Sequence, residues 1–222
     1  MINFSIIIGQ SNVAFVAPGL RDLLIAEFGE DDSELLAVFQ NSTSIFAWSP
    51  NFSNCAQTQL LQGHLQTVVD RVNELGPDDV TFDSIYVLQG ESDMDTLTRL
   101  QGWTHRMNCY IDAFLNAMQT NFGRTFQQTI IGVMRRESTT QISGGTDRFR
   151  SELSSEMIDI VKNLALSRPD TFYADFHDLE RPDGTHLTAT GSGVVAAQRM
   201  HNVARNRQNF PPVINGHRFD NT

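Results

Sequence analysis

Three short polar patches, far apart in a chain of 222 residues, hold the side chains capable of chemistry. Gly9-Gln10-Ser11-Asn12 offers a serine hydroxyl beside a glycine. Gln89-Gly90-Glu91-Ser92-Asp93 offers amide, hydroxyl and carboxylate groups. Asp183-Gly184-Thr185-His186-Leu187 sets an aspartate three residues before a histidine. A serine hydroxyl is a weak nucleophile until a neighbouring base takes its proton, and an imidazole does this well when a carboxylate fixes its tautomer. The set therefore reads as nucleophile Ser11, orienting acid Asp183 and general base His186. The backbone amides where a helix follows Ser11, and the Gln89 or Ser92 side chain, are candidate donors to a developing oxyanion, with Gln10 and Glu91 as further candidates around it. Each patch alone has a plainer use. Ser11 suits a turn or helix cap, Ser92 or Asp93 suits a helix start, and Asp183 suits a solvated surface turn. The Gly-x-Ser-x-Gly elbow is not present, because Val13 stands where its second glycine would be.

The elements that must position these patches are legible in the hydrophobic pattern. Apolar, β-branched runs at residues 3–8, 35–40, 82–88, 129–134 and 171–176 alternate with helix-period segments at 20–28, 58–75, 95–121, 150–166 and 191–205. In the second segment Leu61, Leu65, Val68, Val69 and Val72 recur every three or four residues, which gives one apolar face. Such alternation predicts parallel βαβ units and an α/β fold, a three-layer αβα sandwich around a mostly parallel five-stranded sheet. The uninterrupted Ile6-Ile7-Ile8 fits a central strand covered on both sides. The patches fall after predicted strands, at the edge where open α/β sheets take ligands. Residues 1–205 read as the hydrolase domain. Residues 206–222, with Pro211-Pro212 and Asn215-Gly216, read as a packed strap or contact arm. Residues 135–149, with Ser138-Thr139-Thr140 and Gly144-Gly145, read as a long loop after the fourth strand, where binding loops of open α/β sheets sit.

Bulk composition narrows the function classes. Lys+Arg 16 against Asp+Glu 26 gives a net charge of -10, which argues against a nucleic-acid backbone or an anionic membrane as partner. No run approaches the roughly 20 apolar residues of a membrane span, and Met1-Ile2-Asn3-Phe4-Ser5 has no basic n-region. The expectation is a soluble protein without a signal peptide, cytoplasmic or part of a released particle. Cys55 and Cys109 are expected to be two free, partly buried thiols rather than a bridge. Asp175, His177 and Asp178 lie close in sequence but match no compact zinc or calcium spacing, so neither metal nor cofactor is expected.

Taken together, the patches resemble the SGNH (GDSL-like) hydrolase superfamily. Within it the chain is similar to the sialate O-acetylesterase and acetylxylan esterase branch, the sixth carbohydrate esterase family. That branch opens on Gly-Gln-Ser-Asn, carries Gln-Gly-Glu centrally and ends on Asp-Gly-x-His-Leu. The resemblance implies a flavodoxin-like sheet and a serine esterase that removes O-acetyl groups from a carbohydrate. It matches Ser11, His186 and Asp183 to nucleophile, base and acid, the Ser11 amide and Gln89 side chain to oxyanion donors, and Gly63, or residues 41–44, to the glycine amide of the family's second block. With a carbohydrate substrate implied, Arg135, Arg136 and Arg148 would either meet an acidic sugar or stay solvated. Most members place an asparagine in a Gly-x-Asn-Asp block, where this chain has Gly90-Glu91-Ser92-Asp93. The alternatives are a lipase- or lysophospholipase-like esterase, and a non-catalytic glycan-binding or assembly module on the same scaffold. A homo-oligomer or association with a virion is the corresponding expectation for partners.

Overall fold

The computed structural model describes residues 1–48, 55–95, 97–134, 150–210, 213–214 and 217–218. Five parallel strands form the central sheet: β1 (Ile2–Gly9), β2 (Ser33–Phe39), β3 (Val80–Leu88), β4 (Gln128–Val133) and β5 (Thr171–Asp175). Their order is β2-β1-β3-β4-β5, so the chain leaves β1 to one side and later returns to its other side. That reversal makes the carboxyl ends of β1 and β3 the topological switch point, where such sheets form a crevice.

Alternation along β1 explains how both faces are covered. Phe4, Ile6 and Ile8 enter one apolar cluster and Ile7 enters the other, all fully buried. Helices α1 (Val13–Phe28) and α6 (Ser192–Asn206) close the Ile7 face. Helices α2 (Gln59–Leu75), α4 (Trp103–Phe122) and α5 (Arg150–Ser167) close the other. Thr58 caps α2 by accepting the Leu61 amide at 3.2 Å, and Leu61, Leu65, Val68, Val69 and Val72 form its buried stripe.

Three elements differ from the sequence reading. Helix α1 begins at Val13 rather than at residue 20 and runs through Pro18. Pro18 is exposed, whereas Val13, Val16, Leu20 and Leu24 bury at helical spacing, so packing outweighs the lost backbone bond. The segment expected as one helix over 95–121 is two, α3 (Leu97–Gln101) and α4, divided at Gly102. Cys55 and Cys109 are joined in a disulfide with Cα atoms 5.2 Å apart. Tertiary packing of the approach to α2 against α4 brings together residues 54 positions apart, which spacing alone does not reveal.

After α6 the chain runs beside β5, where the Phe210 carbonyl accepts the Asp175 amide and the Phe210 amide donates to Tyr173. Short strands β6 (Val213–Ile214) and β7 (His217–Arg218) pair with each other. Residues 135–149, with Arg135, Arg136 and Arg148, lie outside the described residues. No helix among the described residues is long and apolar enough to cross a membrane.

At the amino-terminal end of the sheet, β3 carries one extra residue against β1: Phe4 faces Phe82 but Ile6 faces Ile85. This bulge turns Asp83 and Ser84 toward Ser5. The nearly buried Asp83 carboxylate accepts from Ser5, Ser84 and the forked Arg205 guanidinium of α6, at 2.9–3.2 Å. Removing the cation leaves a buried charge uncompensated. Arg205→Ala should therefore destabilise the fold by about 3 kcal/mol, measured by urea denaturation. A loss within about 0.5 kcal/mol, as at an ordinary surface site, would contradict this role.

Candidate active site

The site is built where β1 and β3 end. The backbone turns at Gly9 with φ 142°, and a Cβ there would coincide with the Leu88 carbonyl of β3, so only glycine fits. The Gln10 amide donates to that same carbonyl at 3.0 Å, and Ser11 follows as the chain enters α1. Among the described residues, the Ser11 amide makes no hydrogen bond and is left at the positive end of the helix.

The loop after β5 carries the other two residues. The buried Arg181 guanidinium donates to the carbonyls of Leu179 and Phe176 at 2.7 and 3.0 Å, which fixes the loop on the sheet. The Gly184 amide then closes a turn on the Arg181 carbonyl at 2.8 Å. Asp183 uses one carboxylate oxygen to accept the Thr185 and His186 amides, at 2.9 and 2.7 Å. Its other oxygen lies 2.6 Å from His186 Nδ1. His186 Nε2 in turn lies 2.9 Å from Ser11 Oγ. The His186 amide, together with its ring, holds the Asp183 carboxyl down at about 2, although the group is largely exposed. The imidazole is thus presented with Nδ1 toward a carboxylate and Nε2 toward a hydroxyl, and Phe15 packs beside its ring at 5.8 Å between centroids.

The rest of the three patches forms a buried scaffold beneath these groups. Glu91 accepts side-chain amide hydrogens from both Gln10 and Asn12. Asn12 also donates to the Thr185 carbonyl at 3.3 Å and accepts the Leu187 amide at 2.9 Å. One carboxamide therefore ties the serine turn to the central patch and to the histidine loop. Burial pushes the Glu91 carboxyl up, opposed by these two donors and by the charge of Arg181. Gln10 and Glu91 are 1% and 2% exposed, so they hold the site from beneath instead of lining it.

Gln89 also departs from its expected place. Its amide nitrogen donates to the Thr43 carbonyl at 2.9 Å and to Asp93 at 3.2 Å, which uses both hydrogens. Gly63 lies inside α2, exposed, with its N–H committed to the helix ladder, and offers nothing to Ser11. The loop over residues 41–44 is better placed, because its flank is stitched to the serine turn by the Gln40 amide on the Gly9 carbonyl at 3.2 Å. Among the described residues the amides of 41–44 make no hydrogen bond, and Ser42 has φ 56°. Asp93, read from sequence as a helix cap, instead accepts the Ile45 amide at 3.0 and 3.1 Å and so pins this loop from 48 residues away. Burial raises the Asp93 carboxyl to about 7 against the Ile45 and Gln89 donors. Asp175, His177 and Asp178 do not converge: Asp175 holds His177 Nδ1 and Lys162 at 2.7 Å each, and Asp178 pairs with Arg199.

The sequence matches no family model and no curated protein. Solved structures match in fold. An Arabidopsis thaliana protein is 15% identical over 86% of this chain, with a TM-score of 0.60, and this chain spans 66% of its length. A carbohydrate acetylesterase from Sinorhizobium meliloti is 13% identical with a TM-score of 0.60, covering 91% of this chain and 99% of its own. An aryl esterase from M. smegmatis is 14% identical with a TM-score of 0.55, covering 91% and 99%. The chain shares with these structures an α/β fold, a five-stranded parallel sheet covered by helices on both faces.

Two outcomes follow from this wiring. Asn12→Ala strips the contacts to Glu91, Thr185 and Leu187. It should lower stability by roughly 2 kcal/mol and, unlike a purely structural lesion, loosen the 183–187 loop selectively, read as faster amide exchange at His186 and Leu187. Unchanged exchange there would contradict the clamp. Asp93 has a folded pKa above its unfolded value, so the stability it contributes is full below about pH 4 and lost as pH rises through about 7. Urea midpoints of the wild type relative to Asp93→Asn should fall across that window, and a constant difference would refute the burial argument.

Proposed function

We propose that the chain is a serine esterase that removes O-acetyl or similarly short acyl groups from a carbohydrate. The observation that carries this reading is the continuous hydrogen-bonded chain from Asp183 through His186 to Ser11, ending beside an unspent backbone amide. Ser11 Oγ attacks the ester carbonyl as His186 Nε2 takes its proton. Asp183 holds the ring and stabilises the imidazolium. The tetrahedral oxyanion is received by the Ser11 amide and by an amide of the 41–44 loop, in place of the Gln89 side chain. His186 then protonates the leaving sugar hydroxyl, and a water activated by the same ring releases the acid from the acyl-enzyme.

The solvent-reached side chains of His186 and Asp183 suit an ester displayed on a large polar molecule. The carbohydrate acetylesterase among the structural neighbours supports the same substrate class.

Ser11→Ala should lower p-nitrophenyl acetate hydrolysis by about 10⁶-fold with its circular dichroism unchanged, and Asp183→Asn by on the order of 10⁴-fold. Undiminished turnover in Ser11→Ala would refute the nucleophile. Released acid measured across acetylated xylans and sialic acids tests the sugar, and hydrolysis of long-chain esters alone would refute the carbohydrate substrate.

A further inference from the structure

On α4, His105 and Cys109 stand one turn apart, and the approach to α2 lays Cys55 against them. The imidazole nitrogen and both sulfurs all lie within 4.8 Å of one another. We propose that Cys55, Cys109 and His105 form a binding site for a thiophilic divalent cation such as zinc, taken up when the Cys55–Cys109 bond is reduced. The inference stands independently of the hydrolase reading.

Residues four apart share one helix face, so His105 and Cys109 converge without help from the rest of the fold. His105 Nε2 lies 3.6 Å from Cys109 Sγ. A tetrahedral zinc with a sulfur at about 2.3 Å and a nitrogen at about 2.0–2.1 Å holds those two ligand atoms about 3.6 Å apart. The helix therefore already presents two donors at ligand separation. Two thiolates on one such ion lie about 3.8 Å apart, so Cys55 Sγ must withdraw by about 2 Å from its bonded position. Cys55 is exposed, lies outside the regular elements and has φ 49°, so this displacement disturbs no helix or strand.

Two thiolates and an imidazole select zinc-like ions over magnesium or calcium, and three protein ligands leave a fourth position for water. A dithiol reductant gives two electrons and two protons to the S–S bond, becoming a disulfide itself and leaving two thiols. The cation then displaces both thiol protons and binds the thiolates and the Nε2 lone pair of neutral His105. Disulfide and metal are mutually exclusive, and each cross-links α4 to the approach of α2, one under oxidising and the other under reducing conditions.

The full chain, reduced with a dithiol and freed of it without air, is titrated with cobalt(II) and followed by thiolate-to-cobalt charge-transfer absorption. The expected result is saturation at one cobalt per chain and loss of the band when zinc is added. Cys55→Ser, which leaves one thiolate, should weaken cobalt binding at least tenfold and lower the band at saturation, and oxidised protein should give none. His105→Ala should weaken cobalt binding by at least the roughly tenfold that loss of even an outer-shell partner causes. If that variant alters the circular dichroism, His105→Gln is read in its place. No band in the reduced protein, unchanged affinity without His105, or equal binding by the oxidised protein would overturn the site.

Discussion

The buried carboxyl of Glu91 is the contact on which the arrangement of the site depends. Three segments from the start, middle and end of the chain meet at Glu91 and at the carboxamide of Asn12 bound to it. Burying an acidic group is costly unless hydrogen-bond donors and opposite charge surround it. Gln10, Asn12 and the nearby Arg181 supply these. Donor and acceptor needs must be met simultaneously, so the serine turn and the histidine loop cannot shift independently without leaving a buried polar group unsatisfied. Precision at Ser11 and His186, both of them reached by solvent, is thereby set by groups that solvent does not reach.

The sheet supplies the other half of this geometry. Strand order reverses at β1, which opens a crevice between the ends of β1 and β3, and Gly9 lets the backbone cross the Leu88 carbonyl closely enough to exploit it. Asp93 and Gln89 extend the same logic to the neighbouring loop over residues 41–44. The central patch is thus a set of anchors, one holding the serine turn and another holding the loop over residues 41–44. At the opposite end of the sheet, the Asp83 bulge and Arg205 fasten α6, whose first turn follows directly from the histidine loop.

Much of this was legible in the sequence because it rests on local pattern. The five apolar runs form five strands, and the Asp183-Gly184-Thr185-His186 spacing places the Asp183 carboxylate against the His186 amide and ring, since a three-residue turn needs no distant partner to form. What escaped notice rests on tertiary contact. Gln89 appeared to be a reacting donor because its patch follows a strand, yet its amide hydrogens are taken by Thr43 and Asp93, neither of which periodicity places nearby. Asn12 stood inside a recognised motif without a role, because its partners are 79 and up to 175 residues away. The first helix, expected over 20–28, starts at Val13 because its buried stripe outweighs the backbone bond lost at Pro18. The Cys55–Cys109 pairing was hidden for the same reason.

The central claim is that the buried anchors present Ser11 as an activated nucleophile through His186. Reaction with a fluorophosphonate, followed by peptide mapping, tests this most directly, because it reads activation without assuming a substrate. The account predicts a single covalent adduct on Ser11 that is lost in His186→Ala and slowed in Asp183→Asn. An unlabelled Ser11 in folded protein, or labelling that persists without His186, would contradict it.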